Sequence, residues 1–247
     1  MFRKFILASA CLAVLFLGAA TDTGATPLNA TERGTYRDNG LFGTAGSGTS
    51  VGNYITGGLA NGAEFRSFFN FDLSGVTGTV TEAVLTLSLN RTVALSPDPS
   101  ESIAFFDVTE SLPDLIDGSG GRAAFDDLGS GRRYGFGTLS TDLTSGVLSV
   151  ALNALALLDL NAAIGGDFAL GGALTSLSGE TELLFGFSNL GQQQPTQLNL
   201  TTVAQAPNPV AIPEPGSFTL ISLGLFALAM GRWKFRIGQR TACNGQS

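Results

Sequence analysis

The chain has 247 residues, 44% hydrophobic and only 13% charged, with 33 glycines and a formal net charge of −7. It has no histidine, and its two cysteines, Cys11 and Cys243, lie near the ends. That excludes a Ser-His-Asp triad, a His/Cys zinc site and a cysteine nucleophile in the central region.

In chain order, Arg3 and Lys4 precede an uncharged apolar run over residues 5–20 that finishes on Gly18, Ala19 and Ala20. A basic start, a short apolar core and small residues before the cut are the features of a secretory leader, with cleavage expected after Ala20 and Ala25 as second choice. Residues 64–73 then alternate, with Phe65, Phe69, Phe71 and Leu73 on one face and Glu64, Arg66, Phe68, Asn70 and Asp72 on the other. Residues 80–90 do the same, with Ala83, Leu85, Leu87 and Leu89 opposite Glu82, Thr86, Ser88 and Asn90. Period two with one apolar face predicts half-buried strands. Shorter runs at 51–59, 103–108, 147–152, 167–170, 182–188 and 197–203 read the same way, separated by Gly-rich turns at 43–52, 117–121 and 129–131. One short helix is expected over 153–163, where Leu155, Leu158 and Ala162 recur at helical spacing, Asn153 can cap, and Gly165-Gly166 terminates. Eight or nine short strands with one helix predict an all-β, antiparallel β-sandwich of jelly-roll type.

Toward the C-terminus, Pro207, Pro209, Pro213 and Pro215 keep the chain extended, because proline donates no backbone hydrogen bond. Residues 217–231 carry no charge and are followed by Arg232, Lys234, Arg236 and Arg240. As a helix this block is about 23 Å long, and Trp233 with the long basic stems extends its reach to the interface. The basic end is expected to stay cytoplasmic, which puts the body across the membrane, in agreement with the leader. The expected organisation is a signal peptide over 1–20, a β-sandwich over 21–205, a Pro-rich linker over 206–216, a transmembrane helix over 217–231 and a basic cytoplasmic tail over 232–247.

The sequence Pro213-Glu214-Pro215, followed by the apolar block and then Arg232, Lys234, Arg236 and Arg240, resembles the PEP-CTERM sorting signal of bacterial exported proteins. The resemblance covers about the last 35 residues and implies an exosortase as processing partner. Arg66-Ser67-Phe68-Phe69-Asn70-Phe71-Asp72-Leu73-Ser74, followed by Val80, Ala83, Leu85 and Leu87, also resembles a recurring jelly-roll module of secreted bacterial proteins. Some modules of that shape bind carbohydrate, and the resemblance implies no catalytic activity.

Between residues 21 and 211 the chain has seven arginines, no lysine and 19 carboxylates, a balance of −12. That opposes nucleic-acid binding and excludes a P-loop or Schiff-base lysine. The carboxylate pairs Asp98 with Glu101, Asp114 with Asp117, and Asp126 with Asp127 are the candidates for glycosidase chemistry. All lie in Gly/Pro/Ser-rich segments where Asp makes turns, so they are read as solvated, structural charge. The same carboxylates admit a structural Ca²⁺, although no calcium-loop spacing specifies one. A sugar platform is left only Tyr36, Tyr54 and Tyr134, and Arg66 is expected to meet an acidic residue across strands. Three Asn-x-Thr triplets, at Asn29, Asn90 and Asn199, are read as a consequence of threonine content. The expectation is therefore an exported, noncatalytic protein without cofactor, associated with the cell surface or extracellular matrix, or alternatively a carbohydrate-binding module for exopolysaccharide.

Overall fold

The computed structural model describes residues 23–43, 53–88, 94–142, 147–186 and 196–204. In chain order they form β1 (Thr23–Asn29), β2 (Glu32–Arg37), β3 (Phe42–Gly43), β4 (Tyr54–Gly58), β5 (Glu64–Asp72), β6 (Thr79–Ser88), β7 (Ala94–Leu95) and β8 (Ser100–Asp107). Then come α1 (Leu112–Asp117), α2 (Gly121–Asp127), β9 (Arg133–Ser140), β10 (Val147–Ala151), α3 (Ala154–Ala163), β11 (Asp167–Leu174), β12 (Glu182–Gly186) and β13 (Thr196–Val203). The chain divides into two units, Met1–Gln205 and Ala206–Ser247, and the second lies outside the described residues. So does the expected signal peptide over residues 1–20.

The fold is mostly β, and among the described residues every strand pairing is antiparallel. A four-stranded sheet has the order β1-β13-β6-β10, and a nine-stranded sheet has β7-β12-β4-β5-β11-β8-β9, with β2 pairing β5 and carrying β3. Alternation in the sequence places one set of side chains between the sheets. Phe69, Phe71, Leu85, Leu87, Phe105 and Leu198 are all fully buried there. Each such side chain contributes about 1.5–3 kcal/mol by leaving water. At the β9 and β10 edges the sheets approach closely. A Cβ on Gly135 would lie 2.8 Å from Val150 Cγ1, and one on Gly137 2.8 Å from Leu148 Cδ1.

Four expectations need correction. β1, β2 and β9 are strands that the sequence pattern does not signal, because their runs carry glycine, proline or charge in place of apolar alternation. β5 is buried on both faces, since Phe68 and Asn70 on its second face are only 1% and 2% exposed. The cover is α1 and α2, two helices in addition to the one expected. Leu115, Ala124, Phe125 and Leu128 close a separate small core with Tyr36 and Phe68 on the outer face of the nine-stranded sheet. Ser111 caps α1, Pro113 lies in its first turn, and Gly118 ends it with φ 86°. Finally, α3 has the expected bounds, with Asn153 accepting from Leu155 N at 3.0 Å and Ala156 N at 3.2 Å, but it turns a different face inward. Ala156 and Leu160 are buried, while Leu155 and Leu158 face solvent. A helix apolar nearly all round does not choose its own face. Asn161 chooses it, accepting from Val80 N at 2.8 Å and donating to Val80 O at 2.9 Å.

Candidate functional site

The three carboxylate pairs part company. Asp126 accepts from Arg122 Nε at 3.0 Å within α2. Asp127 points the other way and accepts from Thr109 N, Thr109 Oγ1 and Glu110 N at 2.7–2.9 Å. Asp114 accepts from Ser111 and Ser119 hydroxyls, and Asp117 from Ser119 N. Hydrogen bonding to Asp117 from the Ser119 side chain, and then from its amide, holds the Asp117 carboxyl below its ordinary pKa. All four are engaged by groups within or beside α1 and α2.

Asp98 and Glu101 converge, with a third group that sequence reasoning missed. Glu182, the first residue of β12, places a carboxylate oxygen within 4.8 Å of those of Asp98 and Glu101. Glu101 is 2% exposed and Glu182 fully buried, which corrects the reading of Glu101 as solvated charge. Serines bond all four of their oxygens. Ser96 and Ser176 hydroxyls donate to Glu101, and Ser178 donates its amide and hydroxyl to Glu182, both at 2.7 Å. None of the described ion pairs involves these three carboxylates. The oxygen-only set has the chemistry that a hard cation takes. Two of its members are buried and Asp98 is half-buried. Nothing in sequence spacing links Glu182 to this corner, because the β7–β12 pairing, with Leu183 opposite Leu95, brings it to the segment that runs through Ser96 to Asp98 and Glu101.

The tyrosines are not platforms. Tyr36, Tyr54 and Tyr134 are 0%, 2% and 2% exposed. The Tyr36 hydroxyl donates toward the Asp114 and Leu115 carbonyls, each at 2.9 Å. Tyr54 packs edge-on against Phe69 with ring centroids 4.9 Å apart. Tyr134 donates to Asp159 Oδ2 at 2.6 Å and stacks on Phe168. Burial pushes the phenols of Tyr36 and Tyr54 up to about 12. It raises Tyr134 further, aided by the bond to Asp159.

Arg66 meets its acidic partner along its own strand instead of across strands. Its Nε donates to Glu64 Oε1 at 2.8 Å, and Nη1 donates to the Phe125 and Asp126 carbonyls at 3.1 and 3.2 Å. The guanidinium lies 4.2 Å from the centre of the Phe125 ring. Arg66 therefore satisfies the C-terminal end of α2 and ties it to β5. An apolar cavity of about 220 Å³ beside Phe42, Ile55 and Phe65 contains none of the candidate carboxylates.

Ala20, Pro213, Glu214, Pro215, the 217–231 block and Arg232, Lys234, Arg236 and Arg240 lie outside the described residues. Among the described residues no helix is long and apolar enough to cross a membrane. No protein-family model matches the chain, and no curated protein matches it significantly.

Proposed function

We propose that this is an exported, noncatalytic protein of the cell surface or extracellular matrix, delivered through its C-terminal segment. The observation that carries the reading is the order of Pro213-Glu214-Pro215, an uncharged block over 217–231, and Arg232, Lys234, Arg236 and Arg240. The leader opens export and the apolar block halts transfer with its basic end inside. The Pro-Glu-Pro segment is then presented outside the bilayer to an exosortase. Occupation of the carboxylates in helix caps, turns and a buried corner favours a structural body over a hydrolase. Strands that pass repeatedly between the two sheets favour the jelly-roll type.

The test is expression in an exosortase-containing host of the intact chain and of a chain ending at residue 211. The intact chain is expected to partition with membranes as a precursor and to be converted to a shorter form. The truncated chain is expected to do neither. Identical fractionation and maturation of the two would refute the reading.

A further inference from the structure

The charged side chains of the body avoid one sheet. Of its seven arginines and 19 carboxylates, the strands β1, β6, β10 and β13 contain Glu82 alone. The register lays out the face of this sheet that points away from the core in three rows. The first is Asn29, Gln197, Thr86 and Ser149; the second is Pro27, Asn199, Val84 and Ala151; the third is Ala25, Thr201 and Glu82. Inward neighbours such as Leu85, Leu87, Leu198 and Leu200 are buried, while this outer set is half-buried or exposed. The rows cover about 14 Å along the strands and about 14 Å across them.

The outer side chains are already held in place. Gln197 Nε2 donates to Asn29 Oδ1 at 3.0 Å, Asn199 Nδ2 to Thr86 Oγ1 at 3.0 Å, and Thr201 Oγ1 to Glu82 Oε2 at 3.3 Å. Each amide oxygen of Gln197 and Asn199 keeps lone pairs for an outside donor. The opposite face of the molecule differs. There α1 and α2 cover the nine-stranded sheet and present Asp114, Asp117, Arg122 and Asp126 to solvent.

Covering a charge costs several kcal/mol unless it is paired, whereas covering an amide or hydroxyl costs little when a matching hydroxyl replaces water. The four-stranded face can thus be covered with the smallest electrostatic penalty. The excess of carboxylates over arginines elsewhere on the body repels polyanions and further copies of the chain. We propose that this face docks an uncharged, hydroxyl-rich polysaccharide laid flat across the Gln197 and Asn199 rows. The inference rests on the reading of the protein as a matrix component and names the partner within it.

The experiment uses the purified full-length chain in detergent, cosedimented with cellulose and curdlan as neutral glucans and with calcium-gelled alginate as a polyanion. Binding to at least one neutral glucan, unweakened by added salt, and none to alginate is expected. Gln197→Glu with Ser149→Asp should weaken binding about tenfold or more, because each carboxylate is then covered unpaired. Thr138→Glu, on exposed β9 of the other sheet, should leave binding unchanged, and circular dichroism should report the same fold for all variants. No binding to either glucan, equal binding to alginate, or equal loss with Thr138→Glu would overturn the proposal. So would a dimer broken by the Gln197 and Ser149 changes in a chain that binds no glucan. Because binding is measured in vitro, failure here leaves the truncation result standing, and failure of truncation leaves this result standing.

Discussion

Two adjacent glycines on β11 separate the contributions of the two cores. Gly171 and Gly172 both have ordinary backbone conformations, and they face opposite sides of the nine-stranded sheet. A Cβ on Gly171 would lie 2.5 Å from Leu128 O, 2.7 Å from Leu128 Cα and 2.9 Å from Leu128 C, all backbone atoms just after α2. A Cβ on Gly172 would meet only Phe105 Cε1 at 3.4 Å and Phe69 Cε2 at 3.5 Å, ordinary contact with side chains. Gly171→Ala therefore forces the end of α2 off the sheet. That loosens the Arg66 bonds to the Phe125 and Asp126 carbonyls, at a cost of about 2–4 kcal/mol. Gly172→Ala should lie within about 1 kcal/mol of the parent, because the lower entropy of the unfolded chain offsets slight crowding. For a body of this size that cost amounts to a melting temperature about 4–16 °C lower for Gly171→Ala. Thermal and urea unfolding of the two variants side by side measure it. Equal stability would refute the claim that α2 is seated by contact of Leu128 with β11.

Alkaline stability should fall from about pH 10. The phenols of Tyr36 and Tyr54 titrate at about 12 when folded, against 10.0 in the open chain, and Tyr134 is raised as well. The unfolded chain thus loses protons first, and each buried tyrosine removes about 1.4 kcal/mol per pH unit above 10. Urea midpoints measured from pH 9 to 12 should show this slope, and Tyr54→Phe should reduce it. Asn153→Ala removes both N-cap hydrogen bonds of α3 and the bond from Nδ2 to Arg133 O at 2.7 Å, so a loss of about 1–2 kcal/mol is expected by urea titration. The mature N-terminus should be Thr21, because removal through Ala25 deletes three of the seven residues by which β1 pairs β13. Intact-mass measurement of the exported form decides this, and a chain starting at Thr26 would refute it.

The strands that form the main core were legible in the sequence because their alternation is strict. β5, β6, β10 and β13 can be placed within a residue or two from Phe, Leu and Val positions alone. β2 and β9 were not legible, because Gly34 and Gly135 stand where an apolar residue would have marked the pattern. In the fold both glycines are close approaches: a Cβ on either would lie 2.8 Å from a neighbouring side chain, Phe68 or Val150. α1 was not legible, because a helix of six residues leaves too short an apolar period to be recognised. The acidic corner was half legible. Asp98 and Glu101 are sequence neighbours, whereas Glu182 arrives through long-range pairing that no local pattern encodes. The tyrosines misled for a related reason: a half-polar ring reads as a surface residue until its hydroxyl finds an acceptor within the fold, as Tyr36 and Tyr134 do.

The four-stranded sheet also joins the two ends of the body. Thr23 pairs with Val203 and Asn29 with Gln197, so the chain enters along one strand and leaves along its antiparallel neighbour. β13 is not an edge, since β6 pairs its other side from Thr196 to Val203. A pull on the chain beyond residue 204 therefore acts along β13 and loads the hydrogen bonds to β1 and β6 together. An edge strand, by contrast, is held on one side only and can be peeled away one bond at a time. This strand order suits the C-terminal tether proposed above. It also gives β1 a role that its irregular sequence conceals: by covering β13 on its open side, it makes the departing strand an interior one.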